Sequence, residues 1–422
     1  MRCGACLNCI AKVRLCFISL LNITKAHYLH NIIICKLEYF QIINNFILGM
    51  NKKILILHTS IGLGHKYIAQ NIAFHLQNAG HEVLVYDILD VEKGFMVDFG
   101  TWIHSFINRR LPFVWRWLYF SELVNVLAIP LRIPLAKSNS QNLLKIVKEF
   151  EPDCIISTQT TSSAATASLI RQKQYSGKFV IAFSDYHLHK MWLYDEADQY
   201  LVNIDEQKSE MISLGVPQSK IVVCGITLKP KVDVNESGLR QQLNIPPHHR
   251  IIIFGSGSLG IGFDYALLKN FLIEFVSRNE NYSVVVLCGK NETFKVKLES
   301  EKLSNTIPLG FFQNPSQLYQ IADLLVTKPG GLTIAEALQS NVRILITHTL
   351  PGQEEPNYEY LVSNGLVEPK PEPLSFKSLS DTATAILSSS EKSLSDKAAK
   401  LINFKQEGKT LLDSIENLFH NV

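Results

Sequence analysis

The stretch from Leu309 to Gly365 holds the densest set of residues able to do chemistry. Lys328-Pro329-Gly330-Gly331 follows an apolar run and leads into a helical pattern carrying Thr333 and Glu336. Paired glycines let a backbone close on a phosphate, and the free amides of a helix start attract an anion. Thr333 is placed to cap that helix or to donate a hydroxyl, while Glu336, in its first turns, can accept from two hydroxyls of a ribose or hexose diol. A second polar run, His348 through Pro351-Gly352-Gln353-Glu354-Glu355-Pro356-Asn357, follows the next apolar run and suits sugar hydroxyls. Two glycine-rich turns, Gly62-Leu63-Gly64-His65 and Gly255-Ser256-Gly257-Ser258-Leu259-Gly260, each follow four consecutive apolar residues. The first has Tyr67 where a dinucleotide fingerprint needs its third glycine. The second matches that fingerprint by letter, but the next strand runs into Cys288-Gly289-Lys290, with no acid to hold a ribose hydroxyl. Both turns can still face a diphosphate with backbone amides.

The elements that position these residues follow from periodicity. Ile54–Leu57 is a continuous apolar run, as expected of a strand buried on both faces of a parallel sheet. Ala69, Ile72, Ala73 and Leu76 recur at helical spacing up to Gly80, and Val83–Tyr86 is the next strand. Further strands are expected at Cys154–Ser157, Phe179–Phe183, Gln199–Val202 and Lys220–Cys224, with a helix at Asn142–Phe150. A polar, proline-containing stretch from Lys229 to Arg250 reads as a hinge. The alternation restarts at Ile251–Phe254 and continues through Val284–Leu287, Leu324–Thr327 and Arg343–Ile346. The economical architecture is α/β, with two Rossmann-like doubly wound domains facing a central cleft and ligands at the carboxyl ends of the strands.

The Leu309–Gly365 segment resembles the donor-site signature of the family that includes monogalactosyldiacylglycerol synthases and processive diacylglycerol glucosyltransferases, within glycosyltransferase family 28. It is more distantly similar to the peptidoglycan UDP-GlcNAc transferase. A K-P-G-G-x-T-x-x-E-A stretch followed by P-G-Q-E-x-x-N is intact here, and Cys288-Gly289-Lys290-Asn291 matches a shorter motif. The similarity runs from about Lys52 to Gly365. It implies the GT-B fold, a UDP-sugar donor in the second half and a lipid acceptor in the first. By match, Glu336 would hold ribose hydroxyls. Lys328, Gly330, Gly331 and Thr333 would lie near the diphosphate, with Gly257 approaching it across the cleft. Gln353 and Glu354, after Gly352, would contact the hexose, and Phe311 and Phe312 would flank the uracil. In the first half, Gly62 and Gly64 match the family's glycine turn, and His65 would be the general base. Asp185, His189 and Trp192 match a D-x-x-x-H-x-x-W pattern, with Asp185 assisting the base and His189 and Trp192 on the acceptor side. Ser184 stands where relatives usually carry threonine, and Thr227 follows Ile226 where they often have proline after the isoleucine. No D-x-D motif suited to a metal-bound diphosphate is present, so metal independence and no cofactor are expected, with inversion at the transferred sugar.

The rest of the chain bounds this reading. The 422 residues carry a formal charge of +3, with 46% hydrophobic and 19% charged residues, which excludes a disordered chain and offers no case for nucleic acid. The first 49 residues read differently from the body, and Met50 immediately precedes the first strand. They are expected to be non-native upstream sequence, with a membrane-adhering segment as the alternative. Cys3, Cys6 and Cys9 have metal-compatible spacing but no fourth ligand close by. Cys154, Cys224 and Cys288 read as small buried hydrophobes. Expected domains are residues 50–232 for the acceptor and 233–422 for the donor. Met96–Lys137 gathers Trp102, Trp115, Trp117, Phe106, Phe113, Tyr119 and Phe120 with Arg109, Arg110, Arg116 and Arg132, broken by Pro112, Pro130 and Pro134. Aromatic and basic residues together suit a headgroup layer, so a peripheral protein at the cytoplasmic face of an anionic membrane is expected. The alternatives are GlcNAc transfer to a polyprenyl-linked cell-wall precursor, a UDP-GlcNAc 2-epimerase and a non-catalytic UDP-sugar sensor.

Overall fold

The computed structural model describes residues 51–59, 63–89, 111–121, 124, 127–130, 132, 136–255, 257, 263–389 and 408–420. The five N-terminal cysteines, Met50, Gly62, Trp102, Phe106, Arg109, Arg110, Pro134, Ser256 and Ser258–Gly260 lie outside them.

The first half is built on β1 (Lys53–His58), β2 (Glu82–Asp87), β3 (Cys154–Ser157), β4 (Lys178–Ala182), β5 (Gln199–Val202) and β6 (Ile221–Val223). These strands run parallel in the order β2-β1-β3-β4-β5-β6. The apolar run of β1 is buried on both faces, as two-sided covering by helices requires. Those helices include α1 (Leu63–Asn78), α3 (Lys137–Phe150), α4 (Thr160–Arg171) and α5 (Asp205–Ser213). A short aromatic helix, α2 (Pro112–Phe120), precedes α3.

The second half is built on β7 (Arg250–Gly255), β8 (Tyr282–Leu287), β9 (Thr306–Leu309), β10 (Leu324–Thr327) and β11 (Arg343–Ile346). Its order is β11-β10-β7-β8-β9, again parallel. Around it lie α6 (Glu236–Gln242), α7 (Tyr265–Arg278), α8 (Glu292–Ser300), α9 (Pro315–Ile321), α10 (Gly331–Gln339), α11 (Glu355–Ser363) and α12 (Phe376–Ser388). β9 was not anticipated from the sequence. It is a four-residue edge strand containing Pro308, half-buried throughout, so it lacks the apolar run that marked the others. The stretch read as a hinge is not wholly polar in its packing, because α6 buries Leu239 and is followed by buried Leu243 and Ile245.

One apolar core continues across both halves, from Ile54, Ile68 and Ile72 to Ile253, Ile334 and Ile344. Each such side chain contributes roughly 1.5–3 kcal/mol relative to exposure. The last helix, α13 (Lys409–His420), buries Leu411 and Ile415 in this same core and packs on α1 of the first half. Cys154 and Cys288 are buried and Cys224 is partly so, all as free thiols.

Strand order fixes where ligands can sit. In each sheet the order reverses at one place: between β1 and β3 in the first, between β7 and β10 in the second. A crevice opens outside the carboxyl ends of the strands at such a point. The β1–α1 turn leads to His65, and the β10–α10 turn is Lys328-Pro329-Gly330. The chemistry-bearing turns therefore occupy both reversal points.

Candidate active site

His65 lies in the first turn of α1. Burial lowers its pKa, the Asp185 charge opposes that, and His58 reinforces it. Its Nδ1 is buried and accepts or donates no hydrogen bond among the described residues. The Thr158 hydroxyl donates to the His65 carbonyl at 3.3 Å and fixes the helix start. The Trp192 ring lies 6.3 Å from the imidazole and stacks on Phe183 at 5.1 Å, walling one side of it. A partly buried imidazole whose pKa is lowered by desolvation is neutral near pH 7 and so fit to take a proton.

Asp185 is placed near His65 but is bonded elsewhere. The Asn357 amide donates to its Oδ1 at 2.8 Å, the Ser184 hydroxyl to its Oδ2 at 3.1 Å, and the Gln353 amide to Oδ2 at 3.4 Å. Two of those donors come from the second half. The backbone of this turn is held from behind, because Asn203 and Gln207 both donate to the Asp185 carbonyl, at 2.8 and 2.9 Å. Asp185 acts on His65 through its charge.

His189 has both ring nitrogens engaged: Nε2 donates to the Tyr119 carbonyl at 3.0 Å and Nδ1 accepts from the Met191 amide at 3.2 Å. It shapes the turn Lys190–Trp192 and seats α2. Arg132 turns inward instead of outward to a headgroup layer. Its guanidinium donates to the carbonyls of Lys190, Met191 and Leu193 and lies 3.8 Å over the Tyr194 ring. The serine-rich start of α4 is buried too, with the Ser157, Ser162 and Ser163 hydroxyls joined at 2.7 and 2.9 Å. Gly64 faces open space.

On the other side of the cleft, α10 begins at Gly330 with no side-chain cap, which leaves its first amides for a ligand. Thr333, in that first turn, does not cap it. Gly331 serves a purpose the sequence did not disclose. A Cβ there would stand 2.0 Å from the Ser184 carbonyl oxygen, so glycine is required for the two halves to touch. Lys328 forms an ion pair with Glu354, whose other oxygen accepts from the Leu350 amide at 2.9 Å. Glu354 is buried, so the loop around Gly352 and Gln353 is preset by this pair. A Cβ on Gly257 would meet the Lys328 side chain at 3.5 Å, which places Gly257 beside the same lysine. Burial and the Lys328 charge hold the neighbouring His348 down to about 4.

Glu336 faces the first half. Burial raises its pKa to about 8; burial also raises those of Tyr67 on α1 and Tyr319 on α9, and the Glu336 charge adds to both. Among the described residues no side-chain hydrogen bond reaches its carboxyl, which is available to a ligand diol. Phe311 is exposed, whereas Phe312 packs against the core. Sequence reasoning gave no site role to Asn357, His187, Asn203, Gln207 or Tyr67, and read Tyr119 only as one of the headgroup-facing aromatics. Asn357 and His187 stand inside motifs already quoted. Tyr119 carried no local signal, because its partners are about seventy and more than two hundred positions away.

The fold matches solved structures. A UDP-GlcNAc 2-epimerase from Neisseria meningitidis, bound to UDP-GlcNAc, superposes with a TM-score of 0.57 at 15% identity, over 87% of this chain and 100% of that one. MurG of Acinetobacter baumannii gives 0.53 at 15% identity, over 88% and 100%. Fold and site together define an enzyme of GT-B architecture. Residues 65–228 match the sequence profile of monogalactosyldiacylglycerol synthase, and residues 252–412 that of the glycosyltransferase family 28 C-terminal domain. A processive diacylglycerol beta-glucosyltransferase of Bacillus pumilus is 27% identical over 389 residues, covering 87% of this chain and 95% of that protein. Its counterpart in Bacillus subtilis is 26% identical over 334 residues, covering 75% and 83%. The chain belongs to the family of monogalactosyldiacylglycerol synthases and processive diacylglycerol glucosyltransferases and is a glycosyltransferase.

Proposed function

We propose that the protein transfers a hexose from a UDP-sugar to the hydroxyl of a diacylglycerol-type lipid, inverting the anomeric centre without a metal ion, at the cytoplasmic face of a membrane. One observation supports this above the rest. His65, buried and unengaged at Nδ1, shares its cleft with Asp185, and Asp185 is held by Asn357 and Gln353 of the other half. Asp185 and the sugar-side loop thereby form one bonded unit, and the Asp185 charge acts on His65.

In this mechanism His65 takes the acceptor hydroxyl proton as that oxygen attacks the anomeric carbon. The bond from that carbon to the diphosphate oxygen breaks, and UDP leaves from the opposite face. Charge developing on UDP meets the uncapped amides of α10 and the Lys328 ammonium. Asp185 stabilises the imidazolium that forms, and Glu336 accepts from ribose hydroxyls. Gln353 and Glu354 would lie along the hexose. The lipid would enter beside α2, where Phe113, Trp117 and Phe120 are 70%, 60% and 46% exposed. No helix among the described residues is long and apolar enough to cross a membrane, so α2 would act as a surface anchor.

The test is transfer of labelled sugar from UDP-glucose, UDP-galactose and UDP-GlcNAc into diacylglycerol vesicles by the wild type and by His65→Ala. Label in a diacylglycerol product, lost in the variant, supports the reading and names the hexose. Label confined to a polyprenyl-linked species moves the protein to cell-wall synthesis. UDP binding with no transfer from any donor leaves a sensor.

A further inference from the structure

Asn357, in the first turn of α11, is fully buried, and its carboxamide makes four contacts. Its Nδ2 donates to Asp185 Oδ1 at 2.8 Å and to the Pro329 carbonyl at 3.1 Å. Its Oδ1 accepts from the Tyr186 amide at 2.8 Å and lies 3.2 Å from His187 Nδ1. The orientation is unambiguous, because a carbonyl must accept and a backbone amide must donate. His187 Nδ1 therefore carries the proton, and its Nε2 accepts from the Tyr119 hydroxyl at 2.7 Å. Three of the four partners belong to the first half, the fourth to the Lys328–Gly331 turn. The neighbouring contacts fall at the same seam: Gly331 against the Ser184 carbonyl, and the Tyr186 ring stacked on Tyr360 at 5.7 Å.

With every hydrogen-bonding position of the amide engaged by protein, nothing is left for a sugar. We propose that Asn357 is a positioning residue: it bolts the Ser184–His187 turn of the first half to the Lys328–Gly331 turn of the second, and so sets Asp185 against His65. The kinetic part rests on the glycosyl-transfer reading above. The structural part does not. A group misplaced by about 1 Å costs on the order of 100-fold in rate, so the bolt acts on kcat. A hexose contact would act first on the KM for the UDP-sugar.

Two variants of the full chain separate these roles. Asn357→Ala removes all four contacts. Asn357→Asp keeps the acceptor toward the Tyr186 amide but replaces the donor with a carboxylate facing Asp185. The first measurement is hydrogen–deuterium exchange of the Tyr186 amide in substrate-free protein. Exchange should rise on the order of tenfold or more in Asn357→Ala and stay near wild type in Asn357→Asp. In kinetics, both variants should lose kcat on the order of 100-fold while the KM for the UDP-sugar moves less. In Asn357→Asp the added negative charge also raises the pKa of His65, so the acid limb of the rate profile moves to higher pH. Unchanged Tyr186 exchange in Asn357→Ala would overturn the bolt, as would a raised KM with unchanged kcat. If the wild type transfers no sugar, the glycosyl-transfer reading fails, and the exchange experiment still decides the bolt. If Asn357→Ala does not fold, loss of kcat with retained Tyr186 protection in Asn357→Asp decides in favour, and retained kcat there decides against.

Discussion

His65 and Glu336 are both partly buried ionisable groups, yet burial gives them opposite charge behaviour with one result: each is neutral at pH 7. For His65 burial lowers the pKa, so the imidazole is the free base across the neutral range. Turnover should fall only as pH drops through that lowered value, below the ordinary 6.5. His65→Gln should lose on the order of 100-fold or more in kcat and lose the acid limb with it, read from a pH–rate series. For Glu336 the sign reverses. Its pKa rises from 4.5 to about 8, so the folded state binds the proton more tightly than the unfolded one. The stability it contributes is complete below pH 4.5 and is lost as pH rises through 8. Glu336→Gln, which cannot ionise, should melt higher than wild type at pH 9, and the advantage should vanish near pH 4. Above pH 8 it should also weaken donor binding, because an amide oxygen replaces the two acceptor oxygens of the ionised carboxylate. Equal melting temperatures at pH 9 would mean that the carboxylate is well solvated and not set for a diol.

At the level of elements, α2 is the piece whose position matters most to the cleft. Its inner face carries Tyr119, which bonds His187 and His189 and lies against Gly352, while Arg116 pairs with Glu355 at 2.8 Å. The outer face is apolar and exposed. Phe113→Ser and Trp117→Ser should each weaken binding to anionic vesicles on the order of tenfold in a flotation assay. Unaltered flotation of the double variant would remove α2 from any lipid surface. Gly352 has φ +81° and would place a Cβ 3.0 Å from the Tyr119 ring, so Gly352→Ala should be strained twice over. The left-handed backbone alone costs about 1–2 kcal/mol, which a thermal melt would register. The strands, the α1 and α10 starts and the two sugar-side motifs were legible because each is a local pattern of apolar runs broken by glycine. β9 was not, since a short edge strand with a proline carries no such run. Nor was the inward turn of Arg132, because a sequence gives the charge of a side chain and not the carbonyls it meets.

For the whole molecule, the question is why two sheets related by no shared strand behave as one enzyme. The sequence divided the chain at the Lys229–Arg250 stretch, and the strand sets do separate there. Packing does not follow the same division. α13, from the end of the chain, places Leu411 and Ile415 in the core beside α1, and the Ser414 hydroxyl donates to Gln199 at 2.5 Å. A Cβ at Gly408 would stand 2.4 Å from the His75 ring, and His75 itself bonds the Leu228 carbonyl at 2.7 Å. The carboxyl-terminal helix thus straps the second half to the first through residues other than those of the Asn357 seam. Two attachments at separate places restrain rotation where one would act as a pivot. Calorimetry of the intact protein should show one unfolding transition, because neither half can open without disturbing the other's core. Removing residues 408–422 uncovers apolar surface on α1 and one side of the His75 ring. The first half should then melt at lower temperature, as a separate earlier transition, while the second half keeps its own. A single transition unchanged by this truncation would show that the Asn357 seam and the shared core suffice to join the halves, and that the strap carries no stability.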